Sequence, residues 1–154
     1  MHIPDGYLSH ATAAVMYAAS VPFWYRASRK IKTMLTGRSV PLIALFAALS
    51  FVIMMFNVPL PGGTTGHAVG SVLAAIVLGP WAATLAVSVA LIIQALVFGD
   101  GGVTAISANC FNIAFAGSFF GYTLSLFGSE TRGVAGLPRH YCLDQRRHDY
   151  GIKA

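Results

Sequence analysis

The first two residues of the chain and a histidine further along carry the donor atoms best suited to binding a metal ion. A free amino terminus followed by His2 offers the Met1 amine, the His2 amide nitrogen once deprotonated, and the His2 ring nitrogen Nδ1. These nitrogens form two fused chelate rings and leave one position open in their plane, which a distant imidazole such as His67 could fill. Such a planar set of nitrogens suits Ni(II) or Cu(II) better than Zn(II), which prefers tetrahedral ligands.

A histidine directly after the initiator methionine also occurs by chance, so these two residues alone do not establish a site. The terminus does not resemble a cleavable signal peptide, because no basic segment precedes its first apolar run. We therefore expect Met1 and its amine to remain. The elements that position the terminus decide whether a site can form.

The composition is typical of a membrane protein. Of the 154 residues, 56% are hydrophobic and 10% are charged, with a mean hydropathy of +0.68. The net charge of +5 comes from clusters beside apolar runs, which is the distribution of cytoplasmic loops rather than of a nucleic-acid-binding face. Cys110 and Cys142 form neither a disulfide framework nor a CxxC metal motif. The sequence thus predicts a membrane domain over residues 1–127.

Apolar segments predict an all-α fold, a polytopic transmembrane helical bundle of about five spans. They cover residues 8–25, 41–60, 65–78, 81–98 and 103–127. The first would be about 27 Å long as a helix, close to a bilayer core of about 30 Å. The third is short for a full crossing, so a re-entrant segment remains an alternative.

Basic residues predict how these spans are oriented. Residues 26–38 hold five positive charges and no acid, which places this connection in the cytoplasm and the amino terminus outside. The second span then returns outward, and the breaker-rich residues 59–66 deliver His67 to the side where His2 lies. Five crossings would place the polar residues 128–154 in the cytoplasm, as a disordered or aberrant tail.

Several stretches, taken together, closely resemble the CbiM/NikM family. They are residues 1–9 (MHIPDGYLS), 62–67 (GGTTGH) and 98–105 (FGDGGVTA), followed by Asn109 and Asn112. The likeness keeps its order and spacing over about residues 1–127. Members of this family are the substrate-binding membrane (S) components of energy-coupling-factor transporters for cobalt and nickel. They usually carry further helices, so this chain is expected to be truncated relative to the family.

The resemblance implies that the chain captures Ni(II) or Co(II) at the outer face of the plasma membrane. The implied ligands are the Met1 amine, the amide and ring nitrogens of His2, and the His67 ring. The implied partners are a transmembrane coupling subunit, cytoplasmic ATPase subunits and a small accessory membrane subunit. ATP hydrolysis must occur elsewhere, because this chain has no GxxxxGK motif followed by Ser or Thr.

Other polar residues could support such a site. Asp5 and Asp100 could fix the terminal loop or attract cations, although Asp-Gly pairs also simply favour turns. Asn109 and Asn112, three apart on one helical face, could orient the His67 ring, or could bond between helices.

Two other functions stay open on sequence grounds. An S component for an organic vitamin would need an aromatic-lined pocket and no free terminus. A small, non-transporting assembly protein would pack through small-residue stripes such as Gly66-xxx-Gly70 and Gly117-xxx-Gly121. An enzyme is not expected, because no Ser/Lys, paired-Asp or HExxH arrangement is present. His10 could be a spare ligand or an interfacial residue without a role.

Overall fold

The computed structural model describes residues 2–34, 39–62 and 64–131, and almost all of its regular structure is helical. The helices are α1 (His10–Met34), α2 (Ser39–Met55), α3 (Ser71–Leu78), α4 (Pro80–Ile93), α5 (Ile106–Asn109) and α6 (Gly117–Thr131). Two π-helical segments continue this pattern: Gln94–Phe98 extends α4, and Cys110–Ala116 joins α5 to α6. The predicted all-α class is confirmed. The described residues also include a short antiparallel hairpin of β1 (Val58–Leu60) and β2 (Thr64–Gly66), which was not predicted.

The first helix is longer than predicted. Residues 26–34 were expected to belong to a loop, but α1 continues through them to Met34 and carries the basic residues on its last turns. The reason is local, since no glycine or proline occurs between Pro22 and Gly37. The guanidinium of Arg29 lies 5.7 Å from the centroid of the Tyr25 ring, a cation-π contact.

The third predicted span is the one that the fold changes most. Its helix, α3, has 8 residues. At 1.5 Å per residue this is about 12 Å, less than half of a bilayer core. Gly66 and Gly70, predicted as a helical stripe, are not in a helix, because Gly66 ends β2 and Gly70 precedes α3 with φ +74°. As a helix, α3 is therefore too short to cross a bilayer core by itself.

The predicted break at Gly79 and Pro80 is confirmed. Gly79 adopts φ +86°, a value that residues other than glycine rarely adopt. Pro80 is the first residue of α4, where its missing N–H leaves no hydrogen bond unmade. Two helices of the described chain are long and apolar enough to cross a membrane, Pro80–Phe98 and Ile106–Gly128. The apolar part of α2, Val40–Met55, is shorter.

Helix α4 lies at the centre of the bundle, and its buried face consists mostly of small residues. Ala82, Ala83, Ala86 and Ala90 are buried on it, and it packs against α1, α2, α3 and α6. Small side chains let helices approach closely in a membrane.

The glycine stripe of α6 contributes to packing within the chain. A Cβ on Gly121 would lie 2.5 Å from Cγ2 of Val72, and one on Gly117 would lie 3.1 Å from Oγ of Ser71. Both glycines therefore face α3. The domain boundary at 127/128 stays a prediction, since α6 runs on to Thr131 and residues 132–154 of the predicted tail lie outside the described residues.

Candidate metal site

Residues 2–6 form an amino-terminal arm that docks on the loop 99–105 and on α5. The Gly102 amide donates to the carbonyl of Ile3 at 2.9 Å. The side chain of Asn109 holds the same residue twice: Ile3 N–H donates to Oδ1 at 3.0 Å, and Nδ2 donates to the Ile3 carbonyl at 3.3 Å. One buried amide thus fixes the backbone of the residue that follows His2.

Asp5 anchors the other end of this arm. Its Oδ1 accepts from the amide and the hydroxyl of Thr104, at 2.9 Å and 2.6 Å, and its Oδ2 accepts from the Val103 amide at 3.1 Å. The Thr104 hydroxyl and these amides hold the pKa of the Asp5 carboxyl below its usual value, because they stabilise the charged form. The carboxylate therefore serves arm docking, and its predicted supporting role at a metal site stays a prediction.

Two adjacent glycines make the docking sterically possible. A Cβ on Gly102 would lie 2.5 Å from the Asp5 nitrogen, and one on Gly101 would lie 2.9 Å from Cβ of His2. Gly101 also adopts φ +101°. In the sequence, these residues and Thr104 stand out only as part of the stretch 98–105 that resembles the family, so their role in docking the arm was missed.

Docking of the arm brings the two histidines together. The centroids of the His2 and His67 rings lie 5.2 Å apart, with the rings tilted by 42°. The His2 side chain is 1% exposed. Both of its ring nitrogens and Nε2 of His67 are buried without a hydrogen-bond partner in the described chain. Because buried polar atoms are normally hydrogen-bonded, three unpartnered nitrogens on adjacent rings fit the donors of a cation site.

The surroundings of His67 favour a neutral ring with a free lone pair. Burial lowers the pKa of His67, although the charge of Asp100 acts in the opposite direction. Nδ1 of His67 lies 3.4 Å from the Ala68 carbonyl, a long contact that suits a proton on this nitrogen. With the proton there, Nε2 is left as the acceptor that a metal would use.

The other residues that the sequence analysis singled out differ in where they lie relative to the two histidines. Met1 lies outside the described residues, so the position of its amine stays a prediction. Asn112 is exposed, and Asn109 hydrogen-bonds to the arm rather than to the His67 ring. His10, at the start of α1, lines a cavity of about 270 Å³ together with Asp5.

A metal ion held by the two histidines would also need donor atoms from the backbone. Within the described ranges, no three His, Cys, Asp or Glu side chains come together in a way that could hold a metal. The two imidazoles can therefore complete a typical coordination shell only with other donors. The amine of Met1 and the amide nitrogen of His2 adjoin the His2 ring in the sequence and are donors of suitable chemistry.

Comparison with known proteins gives a consistent result. A family model described as "Cobalt uptake substrate-specific transmembrane region" matches residues 2–138. The chain is 59% identical over 135 residues to the fused nickel transport protein NikMN of Rhodobacter capsulatus, covering 88% of this chain and 38% of that protein. It is 36% identical over 141 residues to the cobalt transport protein CbiM of Geobacter sulfurreducens, covering 89% and 40%. These relatives are named as transport proteins and not as enzymes.

Solved structures and chain lengths add to this picture. The fold is similar to a crystal structure described as a truncated transition metal transporter, with a TM-score of 0.75, 53% identity, and coverage of 82% of this chain and 61% of that one. The chain spans 38% to 57% of the length of the curated relatives that it matches at 48% identity or more. On the extent of the family match and the level of identity, the chain belongs to the CbiM family.

Proposed function

We propose that the chain is the substrate-binding membrane component of a transporter that takes up Ni(II) or Co(II). The ion is the transported substrate, held by the Met1 amine, the amide and ring nitrogens of His2, and the His67 ring. The observation that carries this proposal is the pair of adjacent imidazoles with three buried ring nitrogens that make no hydrogen bond in the described chain. The docked arm supports it, because it holds the residue after His2 at two backbone atoms.

The distance between the rings is compatible with one shared ion. With metal–nitrogen bonds of about 2.0–2.1 Å, two imidazoles at neighbouring corners of a planar site keep their centroids roughly 4.5 Å apart. The observed separation of 5.2 Å is slightly longer, so a small movement of the rings would bring both onto one ion. The planar nitrogen set leans toward nickel, whereas the names of relatives include both metals, so the proposal covers either ion.

The proposed setting is the plasma membrane, with the amino terminus outside and the polar tail in the cytoplasm. Large apolar side chains on α6, including Phe120, Leu124 and Phe127, are exposed in the isolated chain, as lipid-facing residues would be. The proposed partners are a transmembrane coupling subunit, ATPase subunits and a small accessory membrane subunit, since this chain lacks a phosphate-binding loop motif.

The test uses the purified chain with a native amino terminus and measures nickel binding by titration calorimetry. One extra residue before Met1 removes the terminal amine from the chelate, and His67→Ala removes the fourth nitrogen. We expect either change to abolish tight binding. His10→Ala is the matched control, because it removes an exposed imidazole close to the arm, and tight binding should persist.

The outcomes separate the proposal from its rivals. Undiminished affinity in the extended protein would show that the amine is not a ligand. A native protein that neither contains nor binds nickel or cobalt would instead favour a membrane protein that only assembles with partners. Loss of binding in His10→Ala, with His67→Ala unaffected, would place the metal at the cavity beside α1.

A further inference from the structure

The geometry points to Asp100 as the counter-charge of the bound cation, an inference that rests on the proposed function. Oδ1 of Asp100 lies 3.1 Å from Nδ1 of His2, the ring nitrogen that the terminal chelate would use. The Asp100 side chain is 30% exposed, whereas that of His2 is almost fully buried. The carboxylate therefore touches the buried ring and is itself partly open to solvent.

The contact leaves the coordinating direction of the ring free. Although the two atoms are close, Nδ1 of His2 has no hydrogen-bond partner, so Oδ1 is off the line along which this nitrogen would donate or accept. An ion about 2.0 Å from Nδ1 would lie within about 5 Å of this oxygen. Asp100 is thus close enough to act as a counter-charge without being one of the four proposed ligands.

The proposed donors leave the bound ion with a positive charge that a nearby carboxylate would balance. A divalent ion bound by two neutral imidazoles, an amine and one deprotonated amide keeps one positive charge. A buried charge without a partner is costly in a low-dielectric environment. The carboxylate of Asp100 cancels the remaining charge and makes the complex neutral.

Among the described residues, Asp5 and Asp100 are the carboxylates at the arm, and of these two only Asp100 is available for this task. Both oxygens of Asp5 are taken by Val103 and Thr104. The backbone holds Asp100 in place, since its amide donates to the Gln94 carbonyl at 3.1 Å. Its neighbours Gly99 and Gly101 both have positive φ, of +65° and +101°.

The experiment compares Asp100→Asn with Asp100→Glu in the full chain with its native terminus. Nickel and cobalt dissociation constants are measured by calorimetry, and an absorption spectrum is recorded at saturating nickel. Asn keeps the shape and removes the charge, whereas Glu keeps the charge. We expect Asp100→Asn to weaken both metals by roughly 10–100-fold, the usual effect of removing a group that supports metal ligands. Asp100→Glu should stay within about threefold, and the spectrum of the nickel complex should not change in either variant.

Three results would overturn the inference. These are wild-type affinity in Asp100→Asn, an equal loss in both variants, and a changed spectrum in Asp100→Asn. An equal loss would indicate positioning of the arm instead of charge, and a changed spectrum would make Asp100 a planar ligand. His67→Ala separates this failure from that of the proposed function: if His67→Ala abolishes binding while Asp100→Asn does not, only the role of Asp100 is wrong.

Discussion

The amide of Asn109 offers a direct test of whether the docked arm creates the site. The Asn109→Ala variant removes both hydrogen bonds to Ile3, of 3.0 Å and 3.3 Å, from a side chain that is 5% exposed. Each neutral hydrogen bond contributes about 1 kcal/mol net, so docking should weaken by about 2 kcal/mol. Other arm contacts remain, notably those of Asp5 with Thr104.

This loss should appear in metal affinity, because only the docked arm brings His2 to His67. If docking becomes the limiting step, 2 kcal/mol corresponds to a dissociation constant raised by about 30-fold. Calorimetric titration with nickel measures this value. Thermal unfolding in the same detergent shows whether the helical bundle is retained.

The control is Asn112→Ala, the same substitution three residues further along the helix, on an exposed side chain. The structure predicts a change of less than about twofold there, within the range of exposed substitutions. Equal losses in the two variants would instead support the sequence-based hypothesis that both amides orient the His67 ring. An Asn109→Ala protein that binds nickel as well as the native chain would refute the reasoning altogether.

Two further predictions concern the glycine floor and pH. Gly102→Ala places a Cβ 2.5 Å from the Asp5 nitrogen, so this variant should undock the arm and weaken nickel binding at least tenfold. The helical content measured by circular dichroism should not change. Retained nickel affinity would contradict the steric argument. Nickel binding requires neutral imidazole, and burial lowers the pKa of His67, so protons should compete at this ring only below its ordinary value of 6.5. Affinity measured by calorimetry should therefore fall as the pH is lowered through that region, and a constant affinity from about pH 5 to 8 would contradict nitrogen ligation.

The sequence predicted the helical class and several boundaries because the relevant signals are local. Gly79 and Pro80 break the chain where α3 meets α4, and long apolar runs locate the two helices able to cross a membrane. The predicted helix bounds were wrong where the hydropathy of a segment does not match its tendency to form a helix. Residues 26–34 are basic and helical, and the helix of the third predicted span begins only at Ser71 instead of at residue 65.

Of the candidate metal site, only the possible metal-binding groups were predicted from the sequence. His2 and His67 are recognisable in the sequence as possible metal ligands, and the structure brings their rings together. How they are held could not be predicted, because it depends on pairs far apart along the chain, such as Ile3 with Asn109. Periodicity places Asn109 and Asn112 on one helical face, but it cannot show that only Asn109 meets the arm.

The central claim is that the start of the chain and His67 share one metal ion. A crystal structure of the native-terminus protein grown with nickel, with the ion located by its anomalous scattering, tests this claim most directly. We expect a single strong peak about 2.0 Å from the Met1 amine, the amide and ring nitrogens of His2, and Nε2 of His67. A peak bound elsewhere, or one that excludes either the amine or the His67 ring, would contradict it.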